Sequence, residues 1–325
     1  MKKILLLSLS FLLSLALNAQ NCSCGSGNLG AFASNALNDN AGFLNKKAWL
    51  FDLNYDYRSF TPFTSKEITK MLEHNSDAIG VSNAWIATLK VSYGVSDKLA
   101  LSVMQPYVNI ATTINQKMDG DRYNILNSAS TNAFADFSVF GTYLFYNKNN
   151  LRLAAIAGIE LPTGKVSTNQ NAIITGSGTF DPILGISGSK KMGRFITKAN
   201  VGYKLTTKNS SGMDYGDFLS HQVGLNYTIN KNSSSDSACT SLSKKIVLMA
   251  GLNLIGENLH PIKNNNVEVK NTGYYRNFVS PAFTVVLKDR LVSYLAMDIP
   301  VLQNNYGVQN ASSYRFRVGL SVKIN

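Results

Sequence analysis

The chain has 325 residues and a formal net charge of +12, yet only 15% of its residues are charged and 10% are aromatic. Its mean hydropathy is −0.04. After residue 20 no apolar run reaches the roughly 18 residues of a membrane-spanning helix, and no Lys/Arg block of the kind that binds nucleic acid occurs, which argues against both classes.

The first 20 residues predict an export signal. Lys2 and Lys3 form a charged start, residues 4–17 are apolar, and Leu17-Asn18-Ala19 offers small residues for cleavage. The apolar run of about 14 residues is shorter than the roughly 20 of a spanning helix, which favours a cleaved signal over an anchor. We assign 1–20 to the signal peptide and 21–46 to an N-terminal periplasmic segment.

From residue 48 onwards, apolar and polar residues alternate in one segment after another. A period of two predicts β-strands with one apolar and one polar face. Twelve segments show it: 48–60, 84–95, 99–114, 135–147, 151–162, 180–191, 194–207, 218–230, 244–257, 275–288, 291–303 and 314–325. Each has 12–16 residues, closer to the roughly 9–11 that cross a bilayer than to the roughly 5–6 of globular strands.

The connections alternate between long and short. The long ones are 59–83, 115–134, 163–179, 206–217, 258–274 and 304–312. The short ones are 96–98, 147–150, 191–193 and 288–290, whereas 230–244 breaks the pattern. Short periplasmic turns and long external loops are typical of outer-membrane barrels. We therefore predict an all-β, antiparallel up-and-down transmembrane β-barrel over 47–325, with about 12 strands and a range of about 10–14.

A barrel in lipid needs its last strand to pair with its first, since unpaired backbone groups cost several kcal/mol each. The closing stretch alternates Tyr314, Phe316 and Val318 with Arg315 and Arg317. Its apolar face matches that of the first strand, so we predict that these two strands pair. Aromatic residues near strand ends predict girdles at the membrane surfaces: Trp49, Tyr57, Trp85, Tyr93, Tyr203 and Tyr227.

The polar face of the strands predicts the lining of the lumen, because a cation facing lipid costs about 2–4 kcal/mol at mid-depth. The candidates are Asp52, Asp56, Lys90, Arg152, Glu160, Lys198, Lys204, Asp298, Arg315, Arg317 and Lys323, with Arg276 and Asp136 on the same face. These charges either line a narrow water path or pair with one another and fill the lumen. Their excess of cations weakly favours anionic solutes.

Two stretches carry a resemblance to a known family. "IELPTGK" (159–165) with "GSGTFDPILGISGSK" (176–190), and the ending "DIPVLQNNYGVQNASSYRFRVGLSVKIN" (298–325), resemble the outer-membrane transporter-like barrels named after a phenol (meta-pathway) degradation protein. The resemblance covers about the last half of the mature chain well and the first half loosely. It implies a barrel in the outer membrane with a transport role.

Cys22, Cys24 and Cys239 are an odd set for an oxidising compartment. The predicted topology places all three on the periplasmic side. A disulfide from Cys239 to Cys22 or to Cys24 is one hypothesis; a metal or redox role of the Cys-x-Cys pair, or free thiols, are the others.

The histidines are scattered, at His74, His221 and His260. Adjacent Ser220 and His221 point to opposite faces of a strand, so they cannot form a simple nucleophile–base pair. We predict no enzyme, cofactor or metal site.

The functional prediction is a monomeric channel or transporter for small solutes, with a weak preference for anionic or aromatic and hydrophobic compounds. Outer-membrane lipid and the barrel-assembly machinery are the expected partners, and both termini are expected in the periplasm. The alternative is a closed structural or adhesion barrel that binds partners through its external loops.

Overall fold

The computed structural model describes residues 44–73, 77–117, 123–165, 175–230 and 246–324. The predicted signal peptide (1–20), Cys22, Cys24, Cys239 and His74 lie outside the described residues, as do residues 231–244 of the connection that breaks the long–short pattern. No helix in the described part of the chain is long and apolar enough to cross a membrane.

Long antiparallel strands form the wall of the structure. They are β1 (Trp49–Phe60), β2 (Asp77–Gly94), β3 (Leu99–Lys117), β4 (Tyr123–Phe134), β5 (Phe137–Lys148), β6 (Leu151–Leu161), β7 (Asp181–Met192), β8 (Phe195–Lys204), β10 (Phe218–Thr228), β11 (Ile246–Leu259), β14 (Tyr274–Leu287), β15 (Leu291–Asn305) and β16 (Ser312–Ile324). Three two-residue strands, β9 (Met213–Asp214), β12 (Lys263–Asn264) and β13 (Val267–Glu268), form a separate small sheet.

The wall closes on itself through its first and last strands. β1 pairs with β2 on one side and with β16 on the other, in a register that runs from Trp49 opposite Ile324 to Ser59 opposite Tyr314. β4 and β5 share one place in the wall, because both pair with β3, one along each half of it. The wall therefore has twelve places, and the predicted closed antiparallel barrel is confirmed.

The prediction of a long loop over 115–134 was wrong. β3 and β4 continue as a paired ladder from Tyr107 opposite Phe134 to Lys117 opposite Tyr123. The sequence of β4, YNILNSASTNAF, is rich in Asn, Ser and Thr, so it lacks the apolar stripe that marks a lipid-facing strand. Backbone pairing with β3 sustains the strand there. For the same reason β2 begins at Asp77, well before the alternation at residue 84.

The two ends of the barrel differ in their connections. At one end, which we call the turn end, the connections are as short as Asn149-Asn150 and Lys288-Asp289, whose φ values lie between 51° and 59°. Positive φ at both central residues is the geometry of tight hairpin turns, and Asn and Asp tolerate it. The opposite end, the loop end, carries the small sheet and the helix α1 (Ser65–Leu72).

Helix α1 begins with a capping box at the loop end. The Thr64 hydroxyl accepts from the Glu67 backbone N–H, and the Thr64 backbone N–H donates to the Glu67 carboxylate at 2.8 Å. The backbone hydrogen bond from Thr64, followed by that from its hydroxyl, lowers the pKa of Glu67. This reciprocal cap fixes the start of an exposed helix.

The outside of the barrel is apolar and carries aromatic rows. On β1 the residues from Trp49 to Phe60 alternate between exposed or half-buried and buried, and the exposed positions include Trp49 and Tyr55. Trp49 packs on Tyr93 near the turn end, with ring centroids 4.7 Å apart, and Trp85 stands 5.9 Å from Tyr55. Trp85 lies mid-strand in β2, not near a strand end as predicted, because β2 continues past the aromatic row towards the loop end.

Candidate functional site

The inner face of β15, β16 and β1 carries charges in adjoining rows. The strand register places Asp298 opposite Arg315 and Arg315 opposite Arg58. One row nearer the turn end, Arg317 stands opposite Asp56. Each of these side chains is buried or half-buried on the inside of the barrel, since side chains alternate between the two faces of a strand.

Six side chains form two neighbouring sets of ion pairs, which together we call the arginine network: Asp56 with Arg58, and Glu257, Asp298, Arg315 and Arg317. Arg315 binds Asp298 through Nε and Glu257 through Nη1. Arg317 binds the other oxygen of Asp298 at 2.9 Å. Arg58 binds Asp56 at 3.0 Å. One arginine thus joins two carboxylates from different strands.

Glu257 reaches across the lumen to join this network. It lies on β11, and two strands, β14 and β15, separate β11 from β16 in the wall. Neighbouring strands are about 4.8 Å apart, so Glu257 and Arg315 start about 14 Å apart along the wall. Their ion pair must therefore leave the wall and span part of the interior. This is the feature of the network that can narrow a passage.

Sequence reasoning named neither Glu257 nor Arg58 as a candidate. The signal for Glu257 was present: it lies four residues after Asn253, so both share the inner face of β11. It was overlooked because it stands at the end of the predicted segment. Which cation it binds could not be read from the strand pattern.

Two further ion pairs lie on the inner face of the wall. Lys90 on β2 contacts Asp52 on β1 at 3.0 Å, and the Lys90 side chain is fully buried. Lys204 on β8 contacts Glu160 on β6 at 2.7 Å. Most of the predicted lining charges are therefore buried and paired inside the barrel.

Three predicted lining residues have other surroundings. Lys198 is buried on β8. Arg152 and Lys323 are half-buried near the turn end, where Arg152 donates to Asn147 at 3.4 Å. Neither Arg152 nor Lys323 is brought into the arginine network. A lining role for these three residues stays a prediction.

Gly319 of β16 leaves space for an aromatic side chain to lie flat against the inner face of the wall. Tyr294 lies over it, and its hydroxyl is hydrogen-bonded to Asn54 at 3.0 Å. A Cβ atom at Gly319 would stand 1.9 Å from a ring carbon of Tyr294. Real Cβ atoms do not approach so closely, so glycine is required here for packing.

We expect Gly319→Ala to destabilise the barrel by about 1–3 kcal/mol, the usual cost of overpacking. Urea unfolding in detergent, followed by tryptophan fluorescence, measures it. The matched control is Gly141→Ala, whose added Cβ would meet its nearest atom at 3.6 Å. If both variants lose the same stability, the packing of Tyr294 over Gly319 is not the reason for glycine at position 319. Adding Tyr294→Leu to Gly319→Ala should restore part of the loss.

Part of the chain is similar to a known protein family. Residues 75–236 match the family described as "Putative MetA-pathway of phenol degradation". The match confirms the resemblance predicted from the sequence. No curated protein matches the chain.

Several solved structures are similar to this chain to different degrees. An outer membrane channel from Pseudomonas putida F1 superposes with a TM-score of 0.57 at 12% identity, over 87% of this chain and 97% of that chain. The NanC porin gives a TM-score of 0.42 at 12% identity, over 84% and 100%. The toluene transporter TodX of P. putida gives 0.39 at 8% identity, over 88% and 91%. The first likeness supports the barrel fold; the other two are too distant to add to it.

The motif that carried the phenol-degradation family resemblance forms a pinned loop. Asp136, at the break between β4 and β5, accepts hydrogen bonds from the backbone N–H of Gly164 at 2.7 Å and of Ser177 at 2.6 Å. We call this group of Asp136, Gly164, Gly176 and Ser177 the Asp136 clasp. It ties both ends of the loop to the inner rim of the barrel, so "PTGK" and "GSG" are structural partners.

The two glycines of the clasp are required by close contact. A Cβ on Gly164 would stand 2.8 Å from the Cα of Gly176, and one on Gly176 would stand 2.7 Å from the carboxylate of Asp136. Asp181, two residues after Thr179, accepts from the hydroxyl of Thr179 at 2.7 Å and from the backbone of Thr207 at 3.0 Å. The family motif therefore holds two neighbouring loops against the rim.

Ser220 and His221 do not form a nucleophile–base pair. Ser220 is buried on the inner face of β10, whereas neighbouring His221 is half-buried on the outer face. Across the described residues, no group of three or more His, Cys, Asp and Glu side chains is placed to hold a metal ion.

Proposed function

We propose that the protein is an outer-membrane channel that passes small solutes through the barrel. The observation that carries this proposal is the division of the wall: apolar and aromatic side chains outside, and arginines, lysines and carboxylates inside. An apolar exterior with aromatic rows suits lipid, and a polar interior suits water and solutes. Residues 1–20 would direct export to that membrane.

The orientation follows from the two ends of the barrel. Outer-membrane barrels place short turns in the periplasm and longer loops outside. The turn end, with Asn149-Asn150 and Lys288-Asp289, would therefore face the periplasm. β1 starts and β16 finishes at that end, which would put both termini in the periplasm. The loop end, with α1 and the Asp136 clasp, would face the medium.

The solutes would be small, with a preference for anionic or aromatic compounds. Arg315 and Glu257 cross part of the interior, so the passage is narrow unless this pair opens. Arginine-rich walls favour anions, and the family description places aromatic compounds among the solutes to test. We propose a monomer without enzymatic activity, inserted by the barrel-assembly machinery.

A second function deserves comparison because the lining charges are so well buried. Lys90 and Asp298 are each 0% exposed. A lumen filled by its own ion pairs would make a closed structural barrel, with external loops that bind partners. The two functions differ in whether ions cross the barrel.

We expect the purified, refolded protein to give discrete conductance steps in planar bilayers, because charged and polar side chains face its interior. Liposome swelling with small sugars and organic acids provides a second measurement. Heat-dependent mobility on gels verifies that the barrel is folded before either assay. A folded barrel that gives neither conductance nor swelling would support the closed structural barrel.

A further inference from the structure

Arg276 is a buried arginine near the loop end. It stands opposite a carboxylate in the strand register but forms no ion pair with it. It is the third residue of β14, faces inwards and is 7% exposed. The strand register places it directly opposite Glu257 on β11. Glu257, however, gives its ion pair to Arg315. Arg276 is thus next to a carboxylate that is bound elsewhere.

The groups that contact Arg276 are neutral. Its Nε and Nη2 donate to the side-chain oxygen of Asn305, at 3.4 and 3.0 Å, and Nη2 donates to the backbone oxygen of Asn310 at 3.1 Å. No carboxylate within the described ranges lies at ion-pair distance from it. A buried charge is costly unless an opposite charge compensates it. Arg276 therefore favours the arrival of an anion.

Aromatic rings flank the guanidinium. The Cζ atom of Arg276 lies 4.0 Å from the ring centroid of Tyr274 and 6.0 Å from that of Phe60. Such contacts stabilise the cation and hold its plane in place. They also give the site apolar walls, which suit an organic anion better than a strongly hydrated one.

The charge of the surrounding network points the same way. With Arg276, the group contains four arginines, at 58, 276, 315 and 317, against three carboxylates, at Asp56, Glu257 and Asp298. One positive charge is left over, and Arg276 is the arginine that lacks a carboxylate contact. One bound anionic group would therefore neutralise the net charge of the site.

We propose that Arg276 is a binding site for the carboxylate of a small organic acid, at the loop end of the solute path. A guanidinium matches a planar carboxylate in shape and hydrogen-bonding pattern. Nη1 of Arg276 takes part in none of the contacts with Asn305 and Asn310, so it can donate to a ligand. The proposal rests on the channel function above and names the class of solute that the channel takes.

The test is benzoate binding to the folded protein in detergent, measured by isothermal titration calorimetry. Arg276→Gln removes the charge and should weaken benzoate binding about tenfold or more, since a hydrogen bond to a charged group is lost. Arg290→Gln is the matched control, because Arg290 is exposed at the turn end. This variant should bind benzoate with the same affinity as the unaltered protein. The benzoate affinity of Arg276→Lys should lie between those of the other two variants. Heat-dependent mobility confirms that each variant is folded.

The outcomes separate this inference from the proposed function. Equal benzoate affinity for Arg276→Gln and Arg290→Gln would overturn the site, while conductance of the unaltered protein would leave the channel intact. Benzoate binding that depends on Arg276 in a protein without conductance would support the site and contradict the channel. Inorganic phosphate that binds as tightly as benzoate would overturn the assignment to carboxylates.

Discussion

Arg315→Met is expected to destabilise the barrel by about 3–5 kcal/mol, the typical cost of removing one partner of a buried ion pair. The side chains of Arg315 and Glu257 are 5% and 4% exposed. Arg317 still binds Asp298 in the variant, but Glu257 loses the one cation in ion-pair contact with it in the described structure. Urea unfolding followed by tryptophan fluorescence measures the change.

Two comparisons make this result specific. Arg290→Met removes the same charge from an exposed turn-end position and should change stability by no more than about 0.5 kcal/mol. The double variant Arg315→Met with Glu257→Leu should regain most of the loss, because neither partner of this ion pair is then left as an unpaired buried charge. If Arg315→Met behaves like Arg290→Met, water reaches the pair and the network is not a constriction.

The double variant also tests the passage. Without the Arg315–Glu257 pair, the ion pair that spans part of the interior is removed, so a conducting barrel should show a larger unitary conductance. An unchanged conductance in a folded double variant would place the narrowest part of the path elsewhere.

Asp136→Ala is expected to release the loop held by the Asp136 clasp. The carboxylate accepts hydrogen bonds from Gly164 and Ser177, each worth about 1.5–3 kcal/mol to a charged acceptor. Exposed Lys165 adjoins the clasp, so trypsin should cleave after it at least about tenfold faster in the variant. The measurement is limited proteolysis with mass spectrometry of the fragments.

The control for the clasp is Asp97→Ala, at an exposed position in the turn between β2 and β3. It should be cleaved at Lys165 at the original rate. Asp136→Asn keeps the shape and one acceptor oxygen, and should give an intermediate rate. Equal cleavage in Asp136→Ala and Asp97→Ala would show that the loop is held by other contacts.

Part of the barrel could be read directly from period-two alternation. A strand between lipid and an aqueous interior must alternate at every residue, so the local sequence carries the strand and its two faces. The closure of β1 on β16 followed from the same rule, because neither strand could leave an open edge in lipid. β4 shows the limit: outside the lipid band no alternation is required, and Asn, Ser and Thr residues that pattern reasoning assigns to loops can pair as strands.

The site was predictable as a set of inward charges and not as a set of partners. The alternation of side chains along a strand places Arg315 and Asp298 inside. It does not predict which partners long side chains reach across the interior. Glu257 passes over Arg276, its neighbour in the register, to reach Arg315. That choice depends on the curvature of the closed wall and on the lengths of both side chains.

The sequence by itself determined the barrel, its strand faces and the side that carries charge, because each depends on local alternation against two solvents. Only the tertiary structure decided which charges meet, why Gly319 and the two clasp glycines are needed, and which arginine is left without a carboxylate. Those features arise from distances between strands far apart in the chain, and these distances exist only once the wall has closed.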